Sequence, residues 1–198
     1  MSELPFHAHL PIGEQLAPPT DGIPYWEICP YDGDLRIKVL DEPVLPEPPR
    51  HGEAGADDCN CTKSPDERVI WTDGQWVVRH MGEPGTVPTV MLSSVGHFDL
   101  SDMPAEVAAT MGTMIQRLER AVLSLGGLGR VHINRWGDGG AHFHMWFFGR
   151  PIGMMQLRGT CLPLWEDVLP NMPHDLWVSA MTAVGEALAA GGGEARPV

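Results

Sequence analysis

The segment Gly139-Gly140-Ala141-His142-Phe143-His144-Met145-Trp146-Phe147-Phe148-Gly149-Arg150 gathers the side chains best suited to chemistry. Side chains on a strand alternate between faces. His142, His144 and Trp146 therefore point one way, while Phe143, Met145 and Phe147 turn towards apolar packing. A single histidine is more often a hydrogen-bonded structural residue. Two on one strand face, beside a glycine-rich turn, make a row of metal ligands or catalytic groups, because imidazole near neutral pH is both a ligand and a nucleophile. The backbone N–H groups of Gly139 and Gly140 are candidates for supporting a developing negative charge. Arg150 and Arg158 are the nearby basic residues, each balanced between an anion-binding role and plain surface charge.

A second cluster is Asp57-Asp58-Cys59-Asn60-Cys61-Thr62. Two cysteines in a proline-flanked loop gain little as core residues, whereas paired thiolates are good zinc ligands, and a closed site needs two more. Free loop thiols or a disulfide are the alternatives. The chain has four cysteines, at 29, 59, 61 and 161. Cys59 and Cys61 are too close for an easy mutual bridge, and the first residues lack the basic start and apolar stretch of a secretory signal, so metal or free thiols are preferred. Cys161 reads as a small buried hydrophobe.

These groups need elements to hold them. Residues 68–72 and 75–79 read as strands around a hairpin signal at Asp73-Gly74. Residues 89–93 form a third strand. Asp102-Met103-Pro104 looks like a helix start, with a capping aspartate and a proline in the first turn. The apolar series from Val107 to Leu125 continues that helix to Gly126-Gly127. Residues 130–134 and 142–148 read as a closing pair of strands, and a last helix covers 173–190. Strands joined by short turns favour an antiparallel sheet, so the class is α+β with about five strands, one long helix and a C-terminal helix. The 198 residues suit a single domain: a proline-rich arm over 1–57 wrapping the core and anchored by Tyr25, Trp26, Ile28 and Tyr31, a core over 58–190, and a frayed tail over 191–198.

Bulk properties narrow the partners. A formal net charge of −13 argues against nucleic acid, whose phosphates call for a basic surface. It also leaves any anionic substrate to local groups rather than long-range steering. No apolar run approaches the roughly 20 residues that span a bilayer. The expected partner is a small molecule, with no membrane association and a cytoplasmic location.

Histidine pairs occur on several folds. A cupin would need a glutamate where Phe147 and Phe148 stand, and a metallo-β-lactamase pattern an aspartate and a further histidine where Met145 and Trp146 stand. The segment instead resembles the motif of the histidine triad (HIT) superfamily, H-x-H-x-H followed by two apolar residues and a short basic turn. Here it reads H-x-H-x-W, ending at Gly149-Arg150. The resemblance extends upstream, where residues 69–78 look like the family's opening hairpin and residues 93–103 like its strand-to-helix junction with His97. It covers about half the chain.

The resemblance implies a HIT-like fold, a nucleotide-like substrate and attack on phosphorus by the middle histidine, here His144. Trp146, Asn134, Gly139, Gly140 and Arg150 would contact substrate. In zinc-bearing members, such as the hexose-phosphate uridylyltransferase branch, two N-terminal cysteines join two histidines. Carried over, the ligands are Cys59, Cys61, His97 and His142, with Cys29 a possible substitute and C-x-C replacing the usual C-x-x-C. That zinc would be structural. The family also commonly forms homodimers. The chain departs from the pattern at Trp146, where the third histidine is missing, and lacks the family's Gln-Ser stretch before the motif. Three functions follow: a hydrolase or transferase acting at phosphorus, a zinc-containing binding protein without turnover, or an enzyme of different chemistry on a non-nucleotide metabolite.

Overall fold

The computed structural model describes residues 13–15, 29–31, 33, 39, 41–62, 66–167 and 169–198. Most of the expected arm over 1–57, including Tyr25, Trp26 and Ile28, lies outside them. Tyr31 is described and is exposed. The end of the arm does dock. The His51 N–H donates to the Gly139 carbonyl, and the Ala141 N–H donates back to the His51 carbonyl.

The regular elements are β1 (Val69–Thr72), β2 (Trp76–His80), β3 (Thr89–Ser94), α1 (Ala105–Leu123), β4 (Leu128–Asn134), β5 (His144–Pro151), α2 (Cys161–Glu166), α3 (His174–Ala189) and β6 (Glu194–Ala195). The strands form one antiparallel sheet in the order β4-β5-β3-β2-β1-β6. Sheet and helices make the expected α+β fold.

The sheet is amphipathic in the way strand alternation demands. Val78, Val90, Leu92 and Phe147 face a core shared with Met114 and Leu118 of α1 and with Trp177, Met181 and Val184 of α3. The buried positions of α3, Trp177, Ala180, Met181, Val184, Gly185 and Leu188, repeat at three and four residues and form one helical stripe. Gly185 lets that stripe approach the sheet, because a Cβ there would lie 2.7 Å from the Ile70 carbonyl oxygen. On the opposite face, α2 and its approach cover part of the sheet, with Leu157 and Leu162 packed against Val87 and Phe148.

Two expectations need correction, and one helix was not expected. The tail over 191–198 is not simply frayed. After α3, glycines with positive φ at 192 and 193 turn the chain sharply, and β6 pairs with Trp71 and Thr72 of β1 as a sixth strand. The Trp71 indole N–H and the Arg117 guanidinium both donate to the Gly192 carbonyl and hold the turn. Asp102 does not cap α1. Its carboxylate accepts from the Asp99 N–H, and Pro104 occupies the cap position, its carbonyl accepting from Val107 and Ala108. The short helix α2 carries no signal of its own, because six residues offer too little periodicity to recognise.

Candidate functional site

Cys59, Cys61, His97 and His142 converge so that one ligand atom from each lies within 4.8 Å of all the others. Three separate segments bring them there. Cys59 links two short helical turns, Ala56–Asp58 and Asn60–Thr62, and Cys61 lies in the second. His97 follows β3, and His142 precedes β5. Gly52 makes room with a φ of +82°, since a Cβ there would approach the Cys59 Cβ and the His97 Cε1 to 3.2 Å each. Cys29 takes no part in the cluster.

The imidazole tautomers follow from their acceptors. The Nε2 of His142 lies 2.8 Å from the Ser94 carbonyl oxygen, and that of His97 lies 3.0 Å from the Gly52 carbonyl oxygen. A carbonyl only accepts, so both Nε2 atoms carry hydrogen and both Nδ1 lone pairs face inward. The two Nδ1 atoms are 3.4 Å apart. Cys59 Sγ is 3.6 Å from Nδ1 of His142, and Cys61 Sγ is 3.5 Å from Nδ1 of His97.

The two Nδ1 lone pairs repel each other across 3.4 Å, and with the thiol sulfurs beside them they are complementary to a cation. Tetrahedral bonds of about 2.05 Å to nitrogen and 2.3 Å to sulfur require edges of about 3.4 Å between nitrogens and about 3.6 Å between nitrogen and sulfur. The nitrogen–nitrogen edge and two of the nitrogen–sulfur edges match, so these residues fit a metal ion. Burial and the neighbouring Cys59 push the Cys61 thiol up to about 11, a cost that a coordinating cation removes. Burial, with the nearby His97 and Arg79, holds the His142 imidazole below its usual range and hence neutral.

The next residue on the same face is His144. Its Nδ1 lies 2.8 Å from the His142 carbonyl oxygen, so Nδ1 carries the hydrogen and the Nε2 lone pair is left unengaged by any described residue. His144 stands opposite Ser93, and Trp146 opposite Met91. All four line a cavity of about 240 Å³, together with Gly139, Gly140, His51, Asn60, Arg68 and Arg79. The Trp146 ring stacks on Phe148 with centroids 5.9 Å apart and an interplanar angle of 10°, and Trp136 tilts against it at 6.3 Å.

Two expected contact residues fall elsewhere. Arg150 is buried, and its Nη1 donates to the carbonyls of Pro151 and Met154. Six residues beyond His144 along a strand, it stands about 20 Å away at about 3.3 Å per residue. Asn134 pairs with Trp146 on the outer side of β5 and does not line the cavity. The sequence reading overlooked Arg79 and Arg68. Alternation offered a signal for Arg79, because Trp76, Val78 and His80 claim the core face of β2 and leave Val77 and Arg79 on the side of the cavity.

Asp66 accepts from Arg79 Nε at 2.7 Å and from Arg68 Nε at 3.0 Å. Burial alone would raise its carboxyl, but the two guanidinium groups outweigh it and hold the group below the usual carboxylate range. Asp99 is held low in the same way, by Arg50, the Leu100 N–H and Arg135 against the opposing effect of burial. The Arg50 Nη1 also donates to the Gly137 carbonyl, which ties the arm to the loop before the motif.

The chain is similar to solved histidine triad proteins. A zinc-bound histidine triad family protein from Mycobacterium smegmatis aligns at 21% identity and a TM-score of 0.44, over 62% of this chain and 84% of that one. Histidine triad proteins from Marinobacter aquaeolei, at 18% identity, and Sinorhizobium meliloti, at 15%, each give a TM-score of 0.49 over 90% of their own chains and 62% and 61% of this one. No protein-family model and no curated protein matches the chain.

Proposed function

We propose that this chain is a HIT-like hydrolase or transferase that acts at a phosphorus centre of a nucleotide-like substrate, with His144 as nucleophile and a structural zinc ion held by Cys59, Cys61, His97 and His142. One observation carries the reading: His144 presents an unprotonated Nε2 to the cavity because its Nδ1–H is spent on the His142 carbonyl. Four protein ligands leave no open position for water, so the metal supplies rigidity rather than an activated nucleophile.

The Nε2 lone pair of His144 attacks phosphorus, and the bond to the leaving group breaks with its electron pair. Attack builds positive charge on the ring, and the His142 carbonyl, accepting from Nδ1–H, stabilises it. Water or a second acceptor then adds to phosphorus, loses its proton to solvent and returns the imidazole. The indole of Trp146 donates one hydrogen bond but shuttles no proton, which favours substrates whose leaving group departs without a proton.

The aromatic stack of Trp146 on Phe148 supports a second reading, a zinc-containing binding protein without turnover. An assay on a nucleotide ester with a weakly basic leaving group, run with wild type and His144→Ala and read alongside zinc content, separates the two. The enzyme reading expects wild-type turnover, a loss of about 4 kcal/mol or more of transition-state stabilisation in the variant, and unchanged zinc. A variant as active as the wild type overturns the nucleophile role, and an inactive wild type favours the binding protein.

A further inference from the structure

The cavity has a cationic wall that the proposed chemistry does not use. Arg79 on β2 and Arg68 just before β1 both line it, in a chain whose formal net charge is −13. One carboxylate, Asp66, serves both guanidinium groups, so the trio keeps a net positive charge. The side chains of Arg79 and Asp66 are only 11% and 14% exposed. Asp66 engages Arg79 through Nε alone, and the two terminal amino groups of Arg79 have no hydrogen-bond partner among the described residues. The guanidinium lines the cavity with its fork unmatched, and an anion entering there would complete it. Its planar donors suit a phosphate or carboxylate.

Register places this fork in relation to the aromatic wall. Arg79 pairs with Met91 and Met91 pairs with Trp146, so the three lie in one row across β2, β3 and β5. Two strand spacings separate Arg79 from Trp146, about 10 Å. His144 lies one step along β5 in the same cavity. Met91 forms the apolar floor between the two ends.

We infer that Arg79, steadied by Asp66 and backed by Arg68, is the anion-recognising residue of the cavity, and that its ligand is an organic phosphate whose planar substituent lies on Trp146. The inference rests on the proposed function for the choice of phosphate. Its residues are separate from the proposed nucleophile, so the two can fail independently.

The test is calorimetric titration of the zinc-loaded full chain with inorganic phosphate, adenosine monophosphate and adenosine. Wild-type protein should bind the monophosphate at least about tenfold more tightly than adenosine, and Arg79→Met should abolish that advantage. Arg130→Met, on the exposed side of β4, should change nothing. Trp146→Ala should weaken the monophosphate while leaving inorganic phosphate unaffected. If Arg79→Met fails to fold because Asp66 is stranded, Asp66→Asn combined with Arg79→Met removes the stranded charge and answers the same question. Equal binding of adenosine and its monophosphate overturns the inference, as does undiminished monophosphate binding without Arg79 or no binding of either phosphate. Binding through Arg79 without turnover would sink the nucleophile role alone, whereas turnover that needs His144 and ignores Arg79 would sink the anion site alone.

Discussion

The Nδ1–H of His144 donates to the carbonyl oxygen of His142 across 2.8 Å, and the ring of that same His142 donates through Nε2 to the Ser94 carbonyl at 2.8 Å. One residue therefore serves both sites. Its ring is oriented as a metal ligand, and its backbone sets the tautomer of the proposed nucleophile two residues on. Fixing His142 fixes His144, which gives a physical reason for placing the proposed metal centre beside the proposed nucleophile.

Metal content is the first expectation that follows. Purified protein should carry about one zinc per chain by elemental analysis. Cys59→Ser and His142→Ala should each lower zinc content and stability together, by several kcal/mol, since binding energy at such a site is folding energy. His144→Ala should do neither. Metal-free protein of undiminished stability in denaturant titrations would contradict the assignment.

Much of this centre was legible in the sequence because its parts are chemically uncommon. Cys59 and Cys61 on a polar loop, and His142 and His144 on a strand of apolar neighbours, stand out by type and spacing. The placement of Asn134 and Arg150 was not legible. Proximity in sequence along a strand becomes distance in space at about 3.3 Å per residue, so the basic end of the motif lies far from its start. Arg79 and Arg68 had the converse problem. They are far from the motif in sequence and reach it only through pairing of β2 with β3 and of β3 with β5. The pairing of β6 depends on a turn of three glycines that, read alone, is as compatible with a loose tail as with a return to the sheet.

The His80 ring provides a pH test independent of the metal centre. It is buried edge-on against Trp177, with centroids 4.9 Å apart, and its Nδ1 accepts from the Gly82 N–H at 2.9 Å. Burial holds the imidazole below its usual value of 6.5. The unfolded chain therefore binds the proton more readily, and the stabilisation is complete above about pH 6.5 and fades as pH falls through the lower folded value. His80→Asn keeps an acceptor for Gly82 but does not titrate. Its stability should fall less than that of the wild type between about pH 7 and 5, whereas metal release in acid affects both alike. Equal slopes in denaturant titrations across that range would show that His80 contributes nothing to acid sensitivity.

Assembly can be judged from the sheet edge. β4 closes one side of the sheet with a seven-residue strand and pairs only with β5 among the described elements. An unpaired edge of that length is a template for another strand, and two copies related by a two-fold axis would join their sheets there. We expect a homodimer. Light scattering over a concentration series should give twice the chain mass, and a constant single-chain mass would remove this expectation.

The sharpest test of latent phosphorus chemistry is Trp146→His. Trp146 occupies the position on β5 next along the cavity face from His144 and stacks on Phe148, and its indole cannot hand a proton to a leaving group. An imidazole there can, and general acid catalysis of this kind typically contributes about 100-fold or more. Hydrolysis of a nucleotide phosphoramidate, whose amine leaves poorly without a proton, should therefore rise in the variant. A substrate with a weakly basic leaving group should gain little, because its departure needs no acid. Loss of the stack on Phe148 will cost some ligand affinity, so the gain should appear in kcat rather than in KM. An unchanged or lower kcat on both substrates would mean that the cavity has been rebuilt around the indole for binding, with His144 no longer aligned to attack.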